Sequence, residues 1–116
     1  MTRFRYILMS VPALALSLGS LPASAARALD ADDAALCSAA MDLARDRVAV
    51  SFSDQAKFIR ASDWFTARGV ALNEAWFTEQ LEIYTDALTE ARDNGDPQFA
   101  TTVNGCETYF NTSRTE

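Results

Sequence analysis

The side chains in this chain that could do chemistry are two cysteines and a set of carboxylates. Cys37 and Cys106 are the only cysteines, and the 16 Asp and Glu residues are accompanied by no histidine. Histidine supplies the usual general base at neutral pH and is the commonest metal ligand. Its absence excludes Ser-His-Asp and Cys-His catalysis and every zinc site that uses histidine. We therefore predict no catalytic residue, no metal site and no cofactor, and we expect that the protein is not an enzyme.

The two cysteines are predicted to form one structural disulfide. An even number of cysteines in an exported chain indicates a bridge, and here only one intramolecular pairing exists. The bridge would close a loop of about 70 residues, for which the chain-entropy model gives a stabilisation of about 4 kcal/mol. The alternatives are a redox pair, which the absence of a Cys-x-x-Cys motif disfavours, and free or intermolecular thiols.

Residues 1–25 have the pattern of a cleaved signal peptide. Two arginines precede an almost wholly apolar run from Ile7 to Leu18, and Ala23-Ser24-Ala25 matches the site that a signal peptidase accepts. A membrane-spanning helix needs about 20 apolar residues, so the run is too short for an anchor. We predict cleavage after Ala25 or Ala26 and a periplasmic or secreted mature protein without a membrane span.

The mature chain, residues 26–116, is predicted to be one acidic domain. The full chain has 10 basic and 16 acidic residues, and loss of Arg3 and Arg5 with the leader takes its net charge from −6 to −8. The remaining length fits a single domain. Phosphate binding needs clustered Lys and Arg, so we predict no nucleic-acid partner.

Helical spacing of apolar residues recurs along the mature chain and predicts an all-α fold. The first predicted helix runs from Ala31 to Val50, after a cap at Asp30. The second follows a cap at Ser53 or Asp54 and reaches Leu72. The third lies between an Asn73 cap and Asn94-Gly95, and the fourth begins at Pro97 after an Asp96 cap. The second helix could be broken at Ser62-Asp63, so three helices plus a broken one is the alternative to four.

Both cysteines lie on apolar stripes of the predicted helices. The stripe of the first helix consists of Cys37, Met41, Ala44 and Val48. That of the last consists of Phe99, Val103, Cys106 and Phe110. If these helices are neighbours, their inward-facing sulfurs can meet. The sequence thus predicts a small four-helix bundle with its first and last helices joined by the disulfide.

Two tryptophans are the candidates for contact with a partner. Trp76 lies about 100° from the stripe of the third predicted helix, near Ile83 and Ala87, and Trp64 lies about 120° from that of the second. Tryptophan is enriched in binding hot spots. The alternative is that each residue packs against a second neighbouring helix and belongs to the core.

Charged side chains form two groups on the predicted helices. The third helix carries a weak acidic ridge of Glu79, Glu82, Asp86 and Glu90, which is either a solvated face or a surface for a basic partner or a divalent cation. On the second helix Lys57, Arg60 and Arg68 form a small basic cluster, which could pair with this ridge or hold an anion, although no glycine-rich loop accompanies it. Asp93-Asn94-Gly95-Asp96 departs from the EF-hand pattern and is typical of one helix ending and the next beginning.

These observations point to no known family and to an exported protein without catalytic chemistry. We predict a periplasmic or secreted protein-interaction module, acting on another protein as an inhibitor, accessory subunit or chaperone. One alternative is an acid-responsive periplasmic chaperone, because a chain with many carboxylates and no histidine changes charge mainly below about pH 5. The other is a bundle that binds a small ligand or a metal.

Overall fold

The computed structural model describes residues 29–46 and 50–113, and the regular structure of these segments is entirely helical. It consists of α1 (Ala31–Arg45), α2 (Phe52–Asp93) and α3 (Pro97–Ser113). The predicted all-α class is confirmed. The predicted four-helix bundle is wrong, because the second and third predicted helices form the single element α2. The predicted leader, residues 1–25, lies outside the described residues.

A kink at Asn73 divides α2 into two halves, residues 52–72 and 74–93. Asn73 has extended dihedral angles, φ −169° and ψ 92°, and its Oδ1 accepts a hydrogen bond from the Trp76 N–H at 3.1 Å. This is the cap predicted for the start of a third helix. Because the helix resumes at the next residue, no loop separates the two halves, and the cap produces a kink instead of a new element.

The kink brings Phe77 against Gly69. In a straight helix these residues would be separated by about 12 Å along the axis. Here a Cβ built on Gly69 would lie closer than 3.0 Å to three atoms of the Phe77 ring, Cγ, Cδ1 and Cε1. Glycine therefore permits the close approach of the two halves, although it weakens an isolated helix.

Gly69→Ala is expected to destabilise the protein by about 1–3 kcal/mol, because the new methyl group overlaps the Phe77 ring. The gain of about 1 kcal/mol in helix propensity offsets part of this loss. Urea unfolding followed by circular dichroism measures the change. In a Phe77→Ala background the same substitution should no longer be unfavourable, since the ring is absent. Equal effects in the two backgrounds would contradict the proposed contact.

The first helix begins where predicted but ends early. Asp30 caps it through a hydrogen bond from the N–H three residues further on, at 2.7 Å. The helix ends at Arg45 instead of Val50. The Asp46 N–H bonds the Leu43 carbonyl at 3.2 Å, a spacing of three residues that tightens the last turn.

The start of α2 also differs from the prediction. Ser51 is its cap and accepts a hydrogen bond from the Asp54 N–H at 3.2 Å, so the predicted caps Ser53 and Asp54 lie inside the helix. The predicted stripe residue Val48 lies outside the described residues.

The junction of α2 and α3 agrees with its prediction. Gly95 has a positive φ of 69°. Its N–H bonds the Arg92 carbonyl at 3.1 Å, and the Asp96 N–H bonds the Ala91 carbonyl at 2.8 Å. This is the Schellman pattern of helix termination. Asp96 then caps α3, whose first residue is Pro97.

The central element is α1, which is buried on nearly every side. Its buried residues extend almost without interruption from Ala31 to Ala44, whereas the sequence pattern predicted a single stripe. Six of its 15 residues are alanines, and such small side chains allow neighbouring helices to approach closely. The helix packs chiefly against α2.

Side-chain hydrogen bonds join α1 to α2, among them Ser38–Thr66 at 2.7 Å, Ser62–Asp42 at 3.1 Å and Tyr84–Asp32 at 2.8 Å. The first two involve the first half of α2 and the third involves the second half. The kinked helix therefore contacts α1 with both of its halves. These bonds also satisfy polar groups that would otherwise be costly to bury.

The Tyr84 hydroxyl donates a hydrogen bond to the Asp32 carboxylate. Burial is the largest cause of a raised pKa of Tyr84, and this hydrogen bond is the second. Below the ordinary tyrosine pKa of about 10, the proton is present in both folded and unfolded chains and the stabilisation is complete. Above it, the unfolded chain loses the proton while the folded chain keeps it. Stability should therefore fall as the pH rises beyond about 10.

Tyr84→Phe is expected to lower the free energy of unfolding at pH 7 by about 1–2 kcal/mol, because the bond to Asp32 is lost. The variant should also lose most of the decline above pH 10, which urea unfolding at pH 7, 9, 10 and 11 will measure. Tyr109→Phe removes the hydroxyl of another tyrosine, and the stability of this variant should still decline above pH 10. Identical alkaline profiles for Tyr84→Phe and the parent protein would refute the assignment.

The predicted disulfide joins α1 to α3 through Cys37 and Cys106. Both residues are fully buried, in agreement with their positions on apolar stripes. None of the three helices in the described segments combines the length and apolar content needed to cross a membrane.

Candidate functional site

Trp64, the first candidate for partner contact, packs within the protein. Its ring centroid lies 5.1 Å from that of Phe65, 5.6 Å from Phe110 and 6.5 Å from Tyr109. The Arg68 guanidinium covers another part of the ring, at 4.5 Å from the centroid. The first half of α2 is thereby joined to α3, so Trp64 lies in an aromatic cluster that connects helices.

Trp76, the second candidate, is 46% exposed. It lies at the start of the second half of α2, three residues after the kink. Leu72, immediately before the kink, is 54% exposed. On the side of Trp76, Ile83 is partly buried and Ala87 is fully buried. An apolar shoulder therefore extends from the core at Ala87 outward to Trp76.

Two acidic residues border this shoulder. Glu79 follows Trp76 by three residues and Asp86 follows Ile83 by three, which makes them neighbours on the helix surface. Both carboxylates are exposed. We call Trp76, Glu79, Ile83 and Asp86 the Trp76 shoulder. It combines an exposed indole with negative charge along about three turns of one helix.

The other members of the acidic ridge lie in different surroundings. Glu82 is exposed and lines two open depressions on the second half of α2, one of which includes Glu79 and the other Asp86. Glu90 is partly buried, and its Oε1 has no hydrogen-bond partner among the described residues. The first three carboxylates of the ridge are therefore exposed to solvent, and the fourth, Glu90, is partly buried.

The basic cluster does not pair with the acidic ridge in the way predicted. The Lys57 ammonium contacts the Glu107 carboxylate on α3 and lies 3.8 Å from Asp54. The hydrogen bond to Glu107 raises the pKa of Lys57. Arg68 lies over Trp64, and Arg60 is exposed. Lys57 thus connects the first half of α2 to α3 and leaves the ridge to solvent.

In residues 29–46 and 50–113, no three Cys, Asp or Glu side chains lie where they could hold one metal ion. The segment from Asp93 to Asp96, considered above as part of a calcium loop, forms the junction of α2 and α3. Its groups end one helix and begin the next.

A second exposed apolar surface, which was not predicted from the sequence, lies on the first half of α2. Phe52 is 91% exposed, and Ile59 and Val70 are also exposed. Their separations of 7 and 11 residues place them on one face of the helix. That spacing was a signal available in the sequence.

Comparison of the chain with protein-family models, curated proteins and solved structures finds no match. Among the candidates singled out from the sequence, the structure places Trp64 within the fold and leaves Trp76 accessible, with Glu79 and Asp86 beside it.

Proposed function

We propose that this protein is an exported interaction module that binds another protein through the Trp76 shoulder. The observation that carries the proposal is the 46% exposure of Trp76. Tryptophan is usually well buried, and where it lies at a surface it is among the residues most enriched in binding hot spots. The neighbouring Ile83 extends the apolar contact area along the same helix.

Two observations support export. The sequence of residues 1–25 has the pattern of a leader, and the fully buried Cys37–Cys106 disulfide is compatible with an oxidising compartment. Together they favour the periplasm or the exterior of the cell. A free N-terminal sequence beginning at Ala26 or Arg27 on the native protein would support this location.

The shape of the surface favours a macromolecular partner over a small ligand. Sites for small molecules enclose most of the ligand surface. The Trp76 shoulder instead lies along one helix, and the depressions beside it are open to solvent. A surface of this kind suits a partner that supplies its own complementary face, as an amphipathic helix does.

Photo-crosslinking in the native compartment tests the proposal. Trp76→p-benzoylphenylalanine, expressed with the leader, should give a covalent adduct with one protein after irradiation. Phe52→p-benzoylphenylalanine is the matched control, because Phe52 is an even more exposed aromatic residue and lies at the start of α2, far from Trp76 in the sequence. No adduct at position 76, or the same adducts at both positions, would refute the assignment.

One observation favours a second candidate, an acid-responsive chaperone. Carboxylates of Asp32 and Asp42 accept two of the side-chain hydrogen bonds that join α1 to α2. Loss of these contacts in acid would expose the apolar faces of both helices. This function predicts suppression of client aggregation at pH 2–4 with the disulfide intact. Failure to suppress it would exclude the function.

A further inference from the structure

The charges around the exposed indole indicate the kind of partner. Resting on the function proposed above, we propose that the Trp76 shoulder binds a basic amphipathic helix, whose apolar residues contact Trp76 and Ile83 while its Lys or Arg side chains face Glu79 and Asp86. The inference combines an exposed apolar side chain with charge complementarity at a defined position on α2.

The apolar part of this surface sets the length of the partner contact. Trp76 and Ile83 are seven residues apart, which places them two turns, about 10.5 Å, apart along the helix. A partner helix presents apolar side chains at the same repeat when they are spaced by three, four and seven residues. The exposed Trp76 would be the anchor, and the partly buried Ile83 would form the side of the contact nearer the core.

The charged part of this surface indicates that the partner carries positive charge. Glu79 and Asp86 are exposed and are also seven residues apart, so they repeat in register with Trp76 and Ile83. Neither carboxylate has a basic partner within 4.0 Å among the ion pairs of the described residues, in contrast to Asp54 and Glu107, which contact Lys57. Glu79 and Asp86 lie on the same side of Trp76 and Ile83, so Lys or Arg side chains along one side of an apolar stripe would complement this pair.

Other occupants of the shoulder are less compatible with its charge. A second copy of this chain would bring the same acidic pair against itself if the contact were symmetric, because a two-fold interface juxtaposes identical patches. An anionic membrane surface would be repelled by the negative charges of Glu79 and Asp86. A basic polypeptide gains both from the apolar contact and from the charges.

The probe is an 18-residue helical peptide with leucines at heptad spacing and lysines beside them, titrated into the isotope-labelled, disulfide-bonded protein. NMR should show the Trp76 indole N–H moving while that of Trp64 stays in place, with affinity falling as salt is added. A peptide with the same leucines and glutamates in place of lysines should bind at least about tenfold more weakly, because every charge contact is reversed.

Variants locate the effect on the surface. Glu79→Lys and, separately, Asp86→Lys should weaken binding of the lysine peptide by roughly fivefold, and Trp76→Ala by roughly tenfold or more. Asp63→Lys makes the same charge change at an exposed acidic position on the first half of α2 and should have little effect. Phe52→Ala is the corresponding control for Trp76. Equal losses in Asp63→Lys and Glu79→Lys, or equal binding of the two peptides, would overturn the inference.

Failure here can be distinguished from failure of the proposed function. If the crosslink at position 76 forms in the native compartment and its yield is unchanged by Glu79→Lys and by salt, the interaction module stands and the basic partner is refuted. If no adduct forms at that position, both proposals fall. A concentration-dependent dimer that Trp76→Ala abolishes, or sedimentation with phosphatidylglycerol vesicles, would also overturn the basic helix as occupant.

Discussion

Replacement of both cysteines, Cys37→Ala with Cys106→Ala, is expected to lower the free energy of unfolding by about 4 kcal/mol. The bridge spans 69 positions of the sequence, and closure of so long a loop removes many conformations from the unfolded chain. A small domain has a total stability of about 5–10 kcal/mol. The variant should therefore be close to unfolding at 37 °C.

The place of the bridge in the fold adds a reason for this large effect. It joins the central helix α1 to α3, whereas the side-chain hydrogen bonds described above join α1 to α2. Between α1 and α3 the remaining contacts are fewer. We therefore expect α3 to separate first when the covalent link is absent.

Urea unfolding of the double variant, the oxidised protein and the reduced protein measures the effect. The reduced protein retains both sulfurs and so separates loss of the bond from loss of side-chain volume. Hydrogen exchange should rise first in α3, around Val103 and Phe110. Equal urea midpoints for the oxidised and reduced forms would show that the bridge contributes little to stability.

The helix ends that depend on local chemistry were predictable. Asp30 and Asp96 cap helices as expected, and Gly95 takes the left-handed conformation that ends α2. These interactions involve groups within a few residues of each other, so the sequence around them is sufficient. Asn73 is also a predicted cap, and in the structure its side chain accepts a hydrogen bond from the N–H three residues further on.

Features that depend on distant residues were not predictable in the same way. Whether the Asn73 cap begins a separate helix or kinks a continuous one depends on the packing of Phe77 onto Gly69 and on contacts with α1. The burial of α1 on nearly every side likewise requires neighbours that the local pattern does not specify. A stripe on a helical wheel identifies one buried face and leaves open how many others are covered.

The two tryptophans show this limit most clearly. Both lie off the main stripe of their predicted helices, so the same local pattern applied to each. The two residues differ in their contact with α3. Phe110 and Tyr109 of α3 pack against Trp64, and no aromatic contact of this kind is found for Trp76 within the described segments. Trp64 is thereby partly buried and packed against the core, and Trp76 remains exposed.

Trp64→Ala is consequently expected to lower the free energy of unfolding by about 3 kcal/mol, near the lower end of the cost of deleting a large core aromatic, because the indole is only partly buried. The edge-to-face contacts with Phe65 and Phe110 and the stacking of Arg68 are lost together. Trp76→Ala should change stability by less than about 1 kcal/mol, since much of its indole is already in water.

Urea unfolding of the two variants, monitored by far-ultraviolet circular dichroism, compares these costs directly. Phe replacements at the same positions are the conservative controls, and Trp64→Phe should recover part of the loss because a smaller ring still contacts Phe110. Similar destabilisation by both alanine variants would mean that Trp76 also belongs to the core. Loss of crosslinking or peptide binding on its replacement would then report unfolding. A folded Trp76→Ala variant is therefore required before that side chain is assigned to a binding surface.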